Sequence, residues 1–344
     1  MYNMKILLLG DLHTGIGNDD PWIHEYILDT IKKAVDYSKK HNIKAWIQTG
    51  DWFDCRKAIT HATMRFNRTK IIPLLEEAGI TCYITVGNHD MFKRNKIQPN
   101  APREVLSQYD CIKVIDKPET VTFDGVSFDL FPWFCDDNKS EILEFIQNSF
   151  SEYCVGHWEL SGYYFYKGLK SEGYSADFLK KYREVFSGHF HTISDGGNVT
   201  YIGTPYTLTA GDENDPRGFW VFDTDTHKKE FIQNDKTYHV RITYPSDDKI
   251  DVERFKGLSV RLIATVADNG LTKLESALEA VVHKLKVVHK LESSASQETG
   301  VIEVKSTIQM VYEYLEEQNL EPEELAAVKR ISDELLAEVN SAKS

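Results

Sequence analysis

Ala45-Trp46-Ile47-Gln48-Thr49-Gly50-Asp51-Trp52-Phe53-Asp54 carries the pattern that organises the chain: a short, mostly apolar run, then a glycine, then two carboxylates. A run of that length reads as a buried strand. The glycine permits a tight turn, and polar side chains just past a strand end lie where α/β proteins build sites. The arrangement recurs on both sides. Upstream, Lys5–Leu9 leads into Gly10-Asp11-Leu12-His13; downstream, Cys82–Val86 leads into Gly87-Asn88-His89-Asp90. Two later strand-like runs, Tyr153–Val155 and Glu184–Phe186, lead into Gly156-His157 and Gly188-His189-Phe190-His191.

Helical patterns separate the first three strands. Pro21–His41 places Ile23, Ile27, Ile31 and Val35 four apart, an amphipathic face. Thr60–Ala78 reads as one helix with Gly79 as its C-cap. Strand–helix alternation predicts an α/β core. From residue 111 the pattern turns to β, with Asp124-Gly125 as a two-residue hairpin turn and further strands at Val199–Ile202 and Phe219–Phe222. Residues 1–235 therefore read as one domain with two sheets. Residues 236–291 read as a small α+β domain, with strands at Val240–Tyr244, Leu258–Val266 and Lys286–Leu291 and a helix over Leu271–Leu285. An acidic, Ser-rich linker is expected over 292–305. Two amphipathic helices follow over 306–344, striped by Ile308, Val311, Tyr312 and Leu315 and by Leu325, Val328, Ile331, Leu335 and Val339. Such stripes suit either a docking surface or a hairpin packed back on the main domain.

The 344 residues are 41% hydrophobic and 12% aromatic, which argues against a disordered chain. No apolar run reaches the roughly 20 residues of a membrane span, and the first residues lack a signal-peptide layout. Cys55, Cys82, Cys111, Cys135 and Cys154 show no CxxC spacing, so reduced thiols and a cytoplasmic location are expected. The net charge of −13 is concentrated in residues 292–344, which hold twelve acids and four bases. By contrast, 55–70 holds Arg56, Lys57, Arg65, Arg68 and Lys70 without an acid, and 91–103 holds Lys93, Arg94, Lys96 and Arg103 without one. Each run follows a motif. They are either solvated faces or the electrostatic footprint of a polyanion.

Taken singly, an Asp-x-His or a Gly-Asp is common and structural, and His24, His41, His61, His227, His239, His283 and His289 lie outside the motifs. The ordered set is another matter. Carboxylate, amide oxygen and imidazole suit borderline divalent metals, and the absence of cysteine from the set argues against a structural zinc site. Two metals about 3.5–4 Å apart bind one phosphate and activate a water. A pair that close needs a bridging carboxylate, for which Asp51 is the candidate.

In this order the motifs resemble the calcineurin-like metallophosphoesterases over roughly residues 4–225. The resemblance implies a four-layer αββα sandwich. It implies that Asp11, His13, Asp51 and His191 hold one metal, and that Asp51, Asn88, His157 and His189 hold the other. It places His89 beside the phosphate as proton donor or charge stabiliser, with Asp90 orienting His89. Within the family the chain is similar to the SbcD-type DNA nucleases, their T-even phage branch above all. Trp46–Asp51, Arg56–His61, Val155–Glu159, Ser187–His191 and Gly211–Phe219 carry that similarity. It implies a two-metal DNA exonuclease with endonuclease activity, using Mn²⁺ with Mg²⁺ as a substitute. It also implies a DNA-presenting capping domain at 236–291, terminal helices that grip an SbcC-like ABC-type ATPase, and a homodimer, for which the Thr60–Ala78 helix is a candidate surface. Residue 54 is Asp, where SbcD-type enzymes also carry His; it is read as standing behind the ligands. Two alternatives share the motifs. A phosphatase or cyclic-nucleotide phosphodiesterase needs neither the basic runs nor the tail, and fold alone does not fix substrate. A non-catalytic scaffold should have lost ligands, and this chain keeps all of them.

Overall fold

The computed structural model describes residues 4–290 except 167, 168 and 214; the expected linker and terminal helices lie outside the described residues. These form two compact units, one of residues 4–208 and 215–238, the other of 209–213 and 239–290.

The first unit is built on two six-stranded sheets. One runs in the order Lys228–Gln233, Gly218–Asp223, Lys5–Leu9, Ala45–Gln48, Thr81–Thr85, Ile112–Ile115. Its last four strands are mutually parallel. The other runs Ser194–Gly196, Val199–Tyr201, Glu184–Gly188, Tyr153–His157, Val126–Leu130, Glu119–Phe123. In it, Val126–Leu130, Tyr153–His157 and Glu184–Gly188 are parallel. Side chains alternate faces along a strand, and here both faces are covered. Leu7, Leu9 and Trp46 pack against the helices, while Ile6, Leu8 and Ile47 pack with Phe128, Tyr153, Val155 and Phe186 of the second sheet. That two-sided burial is why the strands read as continuous apolar runs. A third cluster, including Phe131, Trp158, Leu179 and Val185, covers the far side of the second sheet under the helix Lys139–Asn148. The layers are therefore helix, sheet, sheet, helix, the expected αββα sandwich.

Pro21–Lys40 is a helix as expected, capped by the Asp20 carboxylate, which accepts from the Trp22 N–H at 2.9 Å. The helix expected over Thr60–Ala78 is instead interrupted. Thr60 caps a helix His61–Phe66, a π turn spans Asn67–Ile71, and Ile72–Ala78 completes the rod, with Gly79 at φ 61 closing it. Asp124 and Gly125, at φ 47 and φ 85, form the turn between Glu119–Phe123 and Val126–Leu130. No helix of the described residues is long and apolar enough to cross a membrane.

The second unit has three parallel strands, His239–Tyr244, Ser259–Ala264 and Lys284–His289. The helix Asn269–Glu279 crosses between the last two and packs Leu271 and Leu278 on Leu262 and Ala264. This corrects the expected helix over Leu271–Leu285, which ends at Glu279. Leu285 pairs with Val260 in the sheet, so strand pairing overrides a helical period that continues through Val281 and Val282. Residues 209–213 belong to this unit, although the sequence reading placed them in the first domain. There the buried Glu213 carboxylate pairs with Arg241 and, at 3.9 Å, with Arg261.

Candidate metal centre

Parallel pairing sets the five motif strands in register, so their C-terminal ends line up. Leu9 lies opposite Gln48 and Gln48 opposite Ile84; in the other sheet Gly188 lies opposite His157. The loops that leave these ends bring Asp11, His13, Asp51, Asn88, His157, His189 and His191 together. Three of these residues sit in left-handed backbone, His13 at φ 47, Asp51 at φ 53 and His189 at φ 82. Such conformations cost about 1–3 kcal/mol each in a non-glycine residue and cluster at functional sites.

Among the described residues, Asp11, His13 and His191 form one group whose ligand atoms all lie within 4.8 Å of one another, and Asp51, His157 and His189 form a second. The His13 and His191 Nε2 atoms are 3.2 Å apart. The Asp51 Oδ2 lies 3.3 Å from His157 Nε2 and 3.8 Å from His13 Nε2, and so between the groups. The Asn88 Oδ1 is 3.0 Å from both His157 Nε2 and His189 Nδ1.

The donor set fits divalent cations. His157 Nδ1 donates to the Thr49 carbonyl at 2.7 Å, which in a neutral ring turns the Nε2 lone pair toward Asp51 and Asn88, both acceptors. Facing lone pairs need a shared positive charge, a proton or a cation. The side-chain charges show the same demand. Burial works against a charged His157, yet Asp51 and Asp11 hold its pKa up at about 9. Burial likewise opposes a charged His13, and Asp54, Asp51 and Asp11 hold it up at about 9. Asp51 is held well below the usual carboxylate range by His157 and His89 despite its burial. Burial raises Asp11 to about 6, and it lowers His189 to about 3 with help from His157. The His189 and His191 rings are thus neutral at neutral pH, each with one nitrogen lone pair to offer.

His89 and Asp90 are adjacent in sequence but bond to different groups. The His89 backbone N–H donates to Asp51 Oδ1 at 2.7 Å, and its Nδ1 is 2.7 Å from the Asp54 carbonyl oxygen, to which it donates. Burial lowers the His89 pKa. Asp90 was expected to orient His89. Its fully buried carboxylate instead accepts from the N–H groups of Gly87 (2.9 Å), Phe53 (3.0 Å) and Trp52 (3.4 Å), and so ties the third motif loop to the second. The orienting group for His89 is the Asp54 carbonyl. The Asp54 carboxylate meanwhile lies 3.2 Å from His13 Nδ1, and His13, Asp54 and His89 form a third close group.

Sequence reading missed Trp133. Its ring centroid lies 4.8 Å from that of His189 and 5.7 Å from that of His157, so it forms a wall of the centre. The available signal was its position just past Val126–Leu130, a strand parallel to the motif strands.

Residues 4–192 match the calcineurin-like phosphoesterase family. The chain belongs to that family. It is 56% identical over 313 residues to Exonuclease subunit 1 of Enterobacteria phage T4, covering 91% of this chain and 92% of that protein. It is 28% identical over 221 residues to the DNA double-strand break repair protein Mre11 of Sulfurisphaera tokodaii, covering 60% of this chain and 55% of that one. To the Mre11 of Sulfolobus acidocaldarius it is 23% identical over 347 positions, covering 95% and 84%.

Around this phosphoesterase centre, the basic runs divide. Arg65, Arg68 and Lys70 are exposed on the interrupted helix, and Lys93 and Lys96 are exposed on the hairpin Met91–Lys93/Lys96–Asn100. Arg103 does not join them. Its guanidinium is forked onto Asp116 at 2.6 and 2.9 Å and also donates to the Val114 carbonyl. The pair holds Asp116 below the usual carboxylate range although burial opposes it.

Proposed function

We propose that this phosphoesterase is a two-metal, Mn²⁺-dependent DNA nuclease, an exonuclease with endonuclease activity, that works as a subunit beside an SbcC-like ATPase. The observation that carries the metal reading is the convergence of Asp11, His13 and His191 with Asp51, His157 and His189 at aligned strand ends. The DNA reading rests on the T4 and Mre11 relatives and on the exposed bases beside two motif loops.

Asp11, His13, Asp51 and His191 would hold one cation, and Asp51, Asn88, His157 and His189 the other. When bound, such a pair supplies Lewis-acid charge to the phosphate and lowers the pKa of a water. The protein does the rest. Asp51 keeps its negative charge between the groups, and the Asp54 carboxylate stands 3.2 Å from His13 Nδ1, where it favours the charged ring. With its Nδ1–H on the Asp54 carbonyl, His89 has Nε2 left for the substrate. A phosphodiester anion beside that nitrogen raises its pKa, and the imidazolium then donates a proton to the leaving oxygen. Exposed Arg65, Arg68, Lys70, Lys93 and Lys96 neutralise backbone phosphates. The capping role of the second unit, the homodimer and the ATPase contact through 306–344 belong to the same proposal.

The test is cleavage of linear double-stranded DNA by the full chain with Mn²⁺, with Mg²⁺ and with chelator, wild type beside Asp51→Ala. Mn²⁺-dependent cutting that the variant lacks supports the reading. Preferential turnover of a cyclic nucleotide or a phosphomonoester, with DNA untouched, refutes it.

A further inference from the structure

Two fully buried amide side chains, Gln48 and Asn67, lie beneath the loops that carry Asp11, His13 and Asp51. Neither is among the expected ligands. Both sit in apolar surroundings: Gln48 lies between Leu9 and Ile84 in the sheet, and Asn67 follows the buried Phe66. Burying an amide costs about 1–3 kcal/mol unless its hydrogen bonds are met. A leucine or methionine would fill either place without that demand, so what each amide bonds to is informative.

Gln48 Nε2 donates to the carbonyl oxygens of Gly10 (3.2 Å) and Gly50 (2.6 Å), and its Oε1 accepts from the Gly50 N–H at 3.2 Å. Gly10 immediately precedes Asp11, and Gly50 immediately precedes Asp51. Gly50 at φ 103 and Asp51 at φ 53 are successive left-handed residues, a turn that persists only where its surroundings hold it. One side chain thus grips the entry to both loops and clamps the strained one at both its N–H and its C=O.

Asn67 grips their exits. Its Oδ1 accepts from the Trp52 indole N–H at 2.7 Å, and its Nδ2 donates to the Thr14 hydroxyl (3.3 Å) and the Thr63 carbonyl (2.9 Å). Thr14 follows His13, and Trp52 follows Asp51. The Thr14 hydroxyl in turn donates to the Trp52 carbonyl at 2.9 Å, and the Leu12 and His13 N–H groups both donate to the Asp51 carbonyl. Asn67 also opens the π turn Asn67–Ile71. Such a bulge marks functional positions in helices.

We propose that Gln48 and Asn67 are positioning residues: together they fix the backbone of the two metal-binding loops, and so the mutual placement of Asp11, His13 and Asp51 before a cation arrives. The inference rests on the two-metal reading above. A role in stability alone makes a different prediction, because a folded molecule lacking either amide would then bind metal normally.

The experiment uses the full chain as wild type, Gln48→Met, Asn67→Leu, the isosteric Gln48→Glu and Asn67→Asp, which replace the donating NH2, and Trp52→Phe, which removes the indole N–H that Asn67 accepts together with part of the buried ring. Chelator-stripped protein is titrated with Mn²⁺ by calorimetry, melting is recorded, and kcat and KM are measured on linear double-stranded DNA at saturating Mn²⁺. Variants folded at the assay temperature should bind Mn²⁺ about 10- to 100-fold more weakly. Their kcat should fall while KM for DNA stays within about twofold, since the basic side chains are untouched. Should the amide variants not fold, Trp52→Phe decides alone. Folded variants with wild-type Mn²⁺ affinity overturn the proposal and leave the metal centre standing. A wild type that binds no Mn²⁺ overturns the metal reading, and the proposal with it.

Discussion

Gly188 offers a sharp test of how closely the centre is packed. It ends the strand Glu184–Gly188 directly before His189, and its backbone is not left-handed, so alanine brings steric effects without torsional strain. A methyl carbon built there falls 2.6 Å from the Asp11 Oδ1, 2.5 Å from the Thr49 carbonyl oxygen and 2.6 Å from the Thr49 hydroxyl. Ordinary contact begins at 3.4 Å, so these atoms must retreat by roughly 0.8 Å. Thr49 is backbone-tied to Leu9 and its carbonyl accepts from His157, and the Asp11 carboxylate accepts from the His189 N–H, so relieving the clash displaces groups of the centre itself. Overpacking of this kind costs about 1–3 kcal/mol of stability. A displacement near 1 Å of a group that sets reaction geometry costs on the order of 100-fold in rate. Gly188→Ala should therefore fold, melt a few degrees lower, bind Mn²⁺ more weakly and cut DNA about 100-fold more slowly. The assay is Mn²⁺ calorimetry beside initial cleavage rates on linear DNA. Wild-type affinity and rate in Gly188→Ala would show that Asp11 need not stand where the structure puts it.

Four further outcomes are expected. His89→Ala should retain two Mn²⁺ by elemental analysis while losing DNA cleavage, because His89 contacts Asp51 only through its backbone N–H; loss of metal would disprove that role. His13 and His157 are held up at about 9, so below that pH each carries a proton that a cation must displace; Mn²⁺ affinity should climb as pH rises from neutrality toward 9, with proton release seen by calorimetry in buffers of different ionisation enthalpy. Tyr182→Phe removes the hydroxyl that donates to the buried Asp129 carboxylate at 2.7 Å and should cost about 1–3 kcal/mol in urea unfolding without changing Mn²⁺ affinity. Arg65→Ala should weaken DNA binding and reduce the log–log salt slope by about one, whereas Arg103→Ala, which breaks the Asp116 fork, should lower stability and leave that slope alone.

Read from sequence, the strand-end motifs named the groups of the centre because their logic is local. An apolar run sets a strand, a glycine sets its turn, and the next residue is a ligand type, all within a few positions. The same holds for the Asp124-Gly125 hairpin. What failed was settled by contacts distant in sequence. The π turn at Asn67–Ile71 interrupts a helix whose own period is continuous, and Asn67 bonds there to Trp52 and Thr14. The helix expected to reach Leu285 stops at Glu279 because Lys284–His289 finds a parallel partner in Ser259–Ala264.

The charge of Arg103 was legible in its basic run, but its neutralisation by Asp116, thirteen residues on, was not. Asp90 could be named as a motif residue, yet only the fold directs its carboxylate to the backbone of Gly87, Trp52 and Phe53 and gives His89 to the Asp54 carbonyl. Sequence thus determined which chemical groups stand at which strand ends, since periodicity and turn chemistry are properties of neighbours along the chain. Tertiary structure decided which groups face one another, which nitrogens keep their protons and which amides brace the loops, because hydrogen bonds and burial are made between segments that only the folded sheets bring together.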